Sequence, residues 1–490
     1  MKHSDKIQFV SGDYLRSSGR NLTVPFGIDV ESGGKQDKLI CTGILRVLPG
    51  KRLVCSGKWS GIDVVAKLFL DPSDGKRHFG REESGIKALE SAGIITPKLI
   101  FAGVSVSGEI PVLGLKEITG SRDLKKVWTE AGDDERRSDI LQKLMTVVAK
   151  QHNAGIRHND PHIKNFLLSD NEIYTIDGDA VDAEDKGKSL PTETSLKNLG
   201  LFFVQFYPEY AALIRDAFQA YASERKWAPA GALYDSLMKE ITAARNKAEN
   251  EYLKKIFRES TSFVCDKSLQ RYMICDRTYY NDEMTAFLNN PEKYLKDVGM
   301  LKDGNSSTVF LVRISGRAFV VKRYNMKNAW HAARRSYRKS RAWASWRNSH
   351  LLKISGISTP APVAMMEKRL GPFRGVSYIL TEYVEGEDIY TMLNSDKAGE
   401  ADLDGMCRQF GEMLRKFSFS LVSHGDFKAT NFILSDNRLF VTDLDAVCKH
   451  RSKRRFEKAF KKDLDRFMQN WRNLPDIAAT FKNEISKIRL

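Results

Sequence analysis

HNDPHIKNFLLSDNEIYTIDGDAV, from His158 to Val181, and HGDFKATNFILSDNRLFVTDLDAV, from His424 to Val447, are the two stretches that decide the fold. Aligned without a gap they are identical at 12 of 24 positions, and they lie 266 residues apart. Repeats of solenoids have periods of roughly 20 to 50 residues, so what recurs here is a whole domain. Other landmarks recur at nearly the same spacing. GIITP ending at Pro97 answers GISTP ending at Pro360, LKEITG around Glu117 answers LTEYVEG around Glu382, and KNLGLF from Lys197 answers KDLDRF from Lys462.

A chain of 490 residues with 42% apolar residues is long enough to bury two cores. The expected layout is an N-terminal extension over 1–39, a first domain over 40–240, a helical linker over 241–296 and a second domain over 297–490. Tyr252, Ile256 and Phe257 at helical spacing suggest the linking helix. Each copy opens on short β-like runs: ILRVL, RLVCS and DVVAKLFL in the first, VGMLK, STVFLVRI and RAFVVKRY in the second. Pro49-Gly50, Ser60-Gly61, Asp303-Gly304-Asn305 and Ser315-Gly316 mark the turns between them. Helical patterns follow, such as Asp139 to His152 with apolar Ile140, Leu141, Leu144, Val147 and Val148. The fold class expected is α+β, two tandem protein-kinase-like domains, each a small β-rich lobe followed by a helical lobe.

Phosphoryl transfer needs phosphates and metal held in place and a carboxylate near the attacking hydroxyl. HxDxxxxN supplies His158, Asp160 and Asn165 in the first copy, and Asp177 follows 12 residues after the asparagine. Asp160 is the candidate base, with Asn165 and Asp177 as magnesium ligands. Lys67 ends the run Val64-Val65-Ala66 and is the candidate for the phosphates of ATP, with Glu82 on the next helix as its partner. In the second copy the corresponding residues are Lys322, Asp426, Asn431 and Asp443. Its turn DGNSST offers Gly304, Ser306 and Ser307 to phosphates, whereas the first copy has Pro49-Gly50-Lys51-Arg52 there. Glu117 and Glu382, at matching positions, complete the nucleotide-binding candidates. Counting back from Pro360 as from Pro97 places Ser345 where Glu82 stands, so the second copy lacks the lysine's glutamate: either its lysine is held otherwise or this domain binds nucleotide and turns over slowly. Asp179 and Asp445 are open between extra metal ligands and helix caps.

At these residues the chain resembles the lipopolysaccharide kinase family, bacterial kinase-like enzymes that phosphorylate heptose or 3-deoxy-manno-octulosonic acid of the inner core. VVAKLFL, REESGIKALESAGIITPKLI and HNDPHIKNFLL carry the likeness in the first copy. KSRAWASWRNSHLLKISGISTPAPVA, LTEYVEGEDI and HGDFKATNFILSDNRLFVTDLDAV carry it in the second. The resemblance implies an ATP- and Mg2+-dependent phosphotransferase acting at the cytoplasmic face of the inner membrane. A Ser/Thr/Tyr protein kinase and an ATP-binding pseudokinase scaffold are the competing expectations; neither copy shows an APE motif.

The formal charge of +16 argues for anionic partners. Trp330 to Arg347, where Arg334, Arg335, Arg338, Lys339, Arg341 and Arg347 alternate with Trp330, Tyr337, Trp343 and Trp346, suits an anionic inner-membrane surface or a lipid A-core glycolipid. A solvated helix with packed aromatics is the competing expectation; Lys449 to Lys462 is a second basic run. Nucleic acid is not expected as the partner, and no obligate protein partner is inferred. Six scattered cysteines form no CxxC pair, and neither a signal peptide nor a membrane span is visible, so a cytoplasmic protein, at most peripheral to a membrane, is expected.

Overall fold

The turn signals are where the chain reverses. In the computed structural model, which describes residues 7–183, 187–228, 230–296, 298–304, 306–325, 339–395 and 402–488, the first seven strands are β1 (Gln8–Phe9), β2 (Phe26–Ser32), β3 (Lys35–Leu48), β4 (Arg52–Trp59), β5 (Ile62–Phe69), β6 (Leu99–Ser105) and β7 (Pro111–Lys116). They form one sheet in the order β1-β2-β3-β4-β5-β7-β6, and a further pairing of β2 with β6 joins its ends. Gly50 and Gly61 have φ of 67° and 80°, left-handed values that a glycine reaches without a Cβ clash, at the tips between β3, β4 and β5. Alternate residues of β4 and β5, Leu53, Cys55, Val64, Ala66 and Leu68, point into a shared core.

The helix Gly75–Ser91 follows β5 and buries Glu82, Ile86 and Leu89. After β7 come β8 (Arg122–Asp123), the helices Leu124–Glu130 and Asp134–Asn153, and the short strands β9 (Arg157–His158), β10 (Phe166–Ser169), β11 (Glu172–Thr175) and β12 (Val181–Asp182). β10 pairs with β8 and β11, and β9 pairs with β12. The helices Thr192–Phe203, Ala211–Glu224 and Ala230–Lys255 complete the helical part, whose core is built on Leu141, Leu144, Phe202, Phe203 and Tyr221.

The chain separates into two compact units, residues 1–206 with 210–245 and residues 207–209 with 246–490. In the second, β13 (Phe263–Lys267), β14 (Arg271–Asp276), β15 (Met300–Lys302), β16 (Ser307–Ile314), β17 (Arg317–Tyr324), β18 (Pro362–Leu370) and β19 (Phe373–Glu382) form a sheet ordered β13-β14-β18-β19-β17-β16-β15. The helix Arg341–Ile354 stands where Gly75–Ser91 stands in the first unit. β20 (Glu387–Asp388), β21 (Val422–Ser423), β22 (Phe432–Ser435), β23 (Arg438–Val441) and β24 (Cys448–Lys449) repeat the short pairings, with helices Leu403–Ser420, Lys453–Met468 and Pro475–Ser486 around them.

Two expected boundaries differ from the structure. The segment expected as an N-terminal extension contributes β2, because Phe26, Ile28 and Val30 turn one apolar face inward and pair with β3. The segment expected as a helical linker contains β13 and β14, and β14 buries Tyr272, Met273, Ile274 and Cys275 while pairing with β18. In the basic aromatic segment the described residues follow the competing expectation, a helix with its aromatics packed on the lobe. Trp343 stacks on Phe257 with centroids 4.5 Å apart, Trp346 is fully buried and donates from Nε1 to the Ile256 carbonyl at 3.0 Å, and Arg341 is ion-paired with Asp445. Burial of the Trp346 indole and part-burial of Trp343 stabilise the fold more than their exposure to solvent would, so these two rings pack inward. Trp330, Arg334, Arg335, Tyr337 and Arg338 lie outside the described residues.

Candidate functional site

A strand, a helix and two loops of the first unit bring its candidate residues together. Lys67, near the end of β5, donates from Nζ to Glu82 Oε1 at 2.5 Å, and the two side chains are only 12% and 0% exposed. A buried ammonium without an anion would be strongly destabilising, so the helix glutamate holds the lysine in one position. Glu82 also accepts the backbone N–H groups of Gly178 at 3.0 Å and Asp179 at 3.2 Å. It thereby connects the strand lysine to the loop that carries Asp177. The helix lies against that loop without side chains between them. A Cβ on Gly85 would meet the Gly178 carbonyl oxygen at 2.1 Å, and one on Gly178 would meet the Glu82 carbonyl oxygen at 2.4 Å.

Asp177 has φ 75° and ψ 69° and Asp443 has φ 57° and ψ 64°, left-handed conformations that cost a non-glycine residue roughly 1 kcal/mol or more. Both copies retain this strained geometry at the same motif position. Burial pushes the Asp177 carboxyl above its ordinary value, while Lys67 beside it acts in the opposite direction. The Asn165 side-chain amide donates to the Asp160 backbone carbonyl at 3.0 Å, and the Asn165 backbone carbonyl accepts the Ile176 N–H at 2.8 Å, tying one loop to the other. Lys67, Asp160, Asn165 and Asp177 line one cleft of about 1520 Å³. Glu117 is not among its lining residues; its N–H bonds to the Asp63 carbonyl at 3.0 Å. Asn165 and Asp177 offer oxygen donors only, and no group of three or more His, Cys, Asp or Glu forms a metal cage among the described residues. That set fits magnesium, which takes one or two protein oxygens and completes its shell with water and phosphate.

Asp179 does not cap the turn that follows; it lines the cleft, tied to three basic side chains. It accepts Arg52 at 2.6 Å and approaches His78 Nδ1 at 2.8 Å, and Arg81 donates to its backbone carbonyl at 2.7 Å. Burial alone would raise its pKa, but the hydrogen bonds with Arg52 and His78 hold it below the ordinary carboxylate value. Arg52, at the Pro49-Gly50-Lys51-Arg52 hairpin, is thus fastened to the far loop. Only the pairing of a basic hairpin tip with a doubled aspartate could have signalled this in the sequence.

In the second unit Lys322 donates to Asp443 at 2.6 Å and lies 3.5 Å from Asp445. Asp445 also accepts Tyr324 at 2.5 Å, Arg341 at 2.9 and 2.5 Å, and Ser345, the residue in the glutamate's place. Burial would raise the Asp445 carboxyl, and Lys322 and Arg341 hold it below the ordinary value instead. Asn348, where Gly85 stands in the other copy, donates to the carbonyls of Leu444 at 2.8 Å and Val447 at 3.1 Å. Asn431 repeats its counterpart, donating to the Asp426 carbonyl at 2.9 Å. Asp426 is ion-paired with Arg466 at 2.7 Å and Lys428 at 3.2 Å. The loop before it is fixed by Asp463, which accepts the N–H groups of His424 at 2.7 Å and Gly425 at 2.9 Å; Asn198 fills this place in the first unit and donates to the His158 carbonyl at 2.8 Å. Gly304 and Ser306 present carbonyls to Asn325 and Arg341, and Ser307 donates its N–H to Gly304. The Glu382 carboxylate accepts the Tyr279 hydroxyl at 2.8 Å.

A strand lysine, a loop aspartate and asparagine, and a second aspartate on a left-handed turn, set in a sheet followed by helices, define a kinase-like α+β protein. More narrowly, the chain belongs to the lipopolysaccharide kinase (Kdo/WaaP) family, whose model matches residues 66–188 and 301–485. It is 32% identical over 102 residues, 20% of this chain, to a 3-deoxy-D-manno-octulosonic acid kinase of Vibrio parahaemolyticus serotype O3:K6 (strain RIMD 2210633), and that match spans 42% of the relative's length. Among solved structures it is similar to WaaP in complex with acyl carrier protein, at 20% identity and a TM-score of 0.33, over 43% of this chain and 90% of the other.

Proposed function

We propose that the chain transfers the γ-phosphoryl group of ATP to a sugar hydroxyl of the lipopolysaccharide core, at the cytoplasmic face of the inner membrane. Its two units are read as tandem kinase-like domains, with transfer in the first and nucleotide binding with slow or no transfer in the second. The observation that carries this is the Lys67–Glu82 pair, whose lysine lines the same cleft as Asp160, Asn165 and Asp177. The family match over 66–188 includes all five residues.

Lys67 would hold the α and β phosphates, kept in place by Glu82. Asn165 and Asp177 would hold magnesium, which when bound neutralises charge on the phosphates. Asp160 would orient the acceptor hydroxyl and take its proton as the new O–P bond forms and the bond from the γ-phosphorus to the bridging oxygen of ADP breaks. No ion pair holds the Asp160 carboxylate among the described residues, which leaves it available to that proton. Among the described residues no helix is long and apolar enough to cross a membrane, so a membrane-held acceptor would be met from the surface.

Two measurements test the proposal. Purified protein with magnesium and ATP should add phosphate to core glycolipid isolated from cells lacking the gene, as read by mass spectrometry. Identical core phosphorylation with and without the gene, together with no magnesium-dependent ATP binding, would sink the assignment. Phosphate found on protein instead of glycolipid would move the acceptor to a protein hydroxyl.

A further inference from the structure

The cleft of the first unit continues past Asp160 and Asn165 to the helix Leu124–Glu130, where Lys125, Lys126 and Lys164 line it beside His162. The three lysines are exposed, and none is ion-paired among the described residues. Of the carboxylates on this helix, Asp123 caps it by accepting the Lys126 N–H at 3.0 Å and Glu130 is paired with Arg122, which leaves Asp160 as the cleft carboxylate beside the lysines. Burial, with Lys164 and Lys125 close by, holds His162 below its ordinary pKa, so the positive charge resides on the lysines. Three unmatched cations in one concavity repel one another and raise the local concentration of anions.

The second unit removes every one of these charges from the same places. Asp388 caps the helix Ile389–Asn394 just as Asp123 caps its counterpart, yet Tyr390 and Thr391 follow it in place of Lys125 and Lys126. Thr430 replaces Lys164, and the one cation in this loop, Lys428 at the position of His162, is paired with Asp426. Both copies keep the lysine, asparagine and aspartate proposed for nucleotide and metal, so those ligands do not account for lysines present in one copy alone. We propose that Lys125, Lys126 and Lys164 form an acceptor-side subsite for an anionic substituent, a phosphate or a carboxylate, borne by the sugar beside the hydroxyl that reaches Asp160. The word acceptor rests on the function proposed above; the anion subsite itself does not.

The test uses the full chain and the triple variant K125Q/K126Q/K164Q, with K239Q/K247Q/K254Q, three exposed helix lysines outside the cleft, as a charge-matched control. Binding of lipopolysaccharide core oligosaccharide is measured by calorimetry in three forms: intact, dephosphorylated and carboxyl-esterified. The triple variant should bind intact oligosaccharide at least tenfold more weakly than wild type and lose most of the salt dependence, while the control binds as wild type. The acceptor KM should rise much more than the KM for ATP. Loss of wild-type affinity on dephosphorylation assigns the subsite to phosphate, and loss on esterification assigns it to carboxylate. Equal wild-type affinity for all three forms, an unchanged triple variant, or a rise confined to the KM for ATP would overturn the subsite. Tenfold weaker binding by the variant with no phosphate transfer by wild type would sink the kinase proposal and leave the subsite standing.

Discussion

The two units meet one requirement from opposite sides. Each sets a strand lysine in a largely enclosed place, against an anion. In the first the anion is Glu82 on the helix, and Asp177 is left facing the cleft. In the second the helix offers Ser345, and Lys322 rests instead on Asp443 at 2.6 Å with Asp445 behind it. The carboxylate proposed for metal is therefore occupied by the lysine, and Asp426 is occupied by Arg466 and Lys428. A motif alignment makes the two copies equal, whereas their ion pairs make them unequal. On the function proposed above, the location of the compensating charge, and not the presence of the motif, would separate a site poised for transfer from one whose acidic groups are already neutralised.

The largest effect should come from breaking the first arrangement. Glu82→Gln leaves Lys67 buried without its anion, which costs about 3 to 5 kcal/mol. Thermal unfolding of the variant should show the first unit melting well below the second, with sugar phosphorylation lost. Ser345→Ala removes one hydroxyl from Asp445, which keeps Lys322, Arg341 and Tyr324, and should cost only about 1 kcal/mol in the second unit. Equal destabilisation by the two substitutions would erase the distinction.

A smaller effect separates the helix contacts. Gly85→Ala drives a Cβ into the Gly178 carbonyl and should destabilise the first unit by about 1 to 3 kcal/mol, displacing Asp177 as it does so. Asn348→Ala removes two hydrogen bonds to the corresponding loop and should cost about 1 to 2 kcal/mol in the second. Magnesium-nucleotide affinity, measured by calorimetry, should fall for Gly85→Ala; an unchanged value would mean that the helix does not position the loop.

The hairpins and the two loop motifs were legible in the sequence because turn residues and period-two alternation act locally, and the 266-residue recurrence aligned Asp160, Asn165 and Asp177 with their partners. What escaped was non-local. β2 closes on β6 and β14 pairs with β18 across long stretches of chain, so neither pairing is written in its own neighbourhood. The fastening of Asp179 by Arg52 and His78, and of Asp445 by Arg341, likewise needs the folded hairpin and helix before it exists. The sequence left Trp343 and Trp346 open between two readings because an alternation of aromatic and basic residues has the same composition whether the indoles face lipid or core.

The smallest effect is one in which the units should behave alike. His152 in the first and His350 in the second are buried, and burial lowers the pKa of each to about 3. A histidine depressed when folded contributes stability that is complete above its unfolded pKa and is lost as pH falls through the window from about 6.5 towards 3. Each should cost its unit about 1 kcal/mol between pH 7 and 5.5. His152→Gln and His350→Gln should each flatten the pH dependence of one melting transition only; a profile unaltered by both would mean that other groups carry the acid sensitivity.

The inequality of the two units is tested most directly by comparing Asp160→Ala and Asp426→Ala in the full chain, with phosphate transfer to core glycolipid and the number of bound magnesium-nucleotide molecules measured on the same samples. Removal of a general base costs about 10²- to 10⁴-fold in rate. The account predicts a loss of that size for Asp160→Ala with nucleotide binding retained, and less than a threefold change for Asp426→Ala. Transfer abolished by Asp426→Ala and preserved by Asp160→Ala would contradict it.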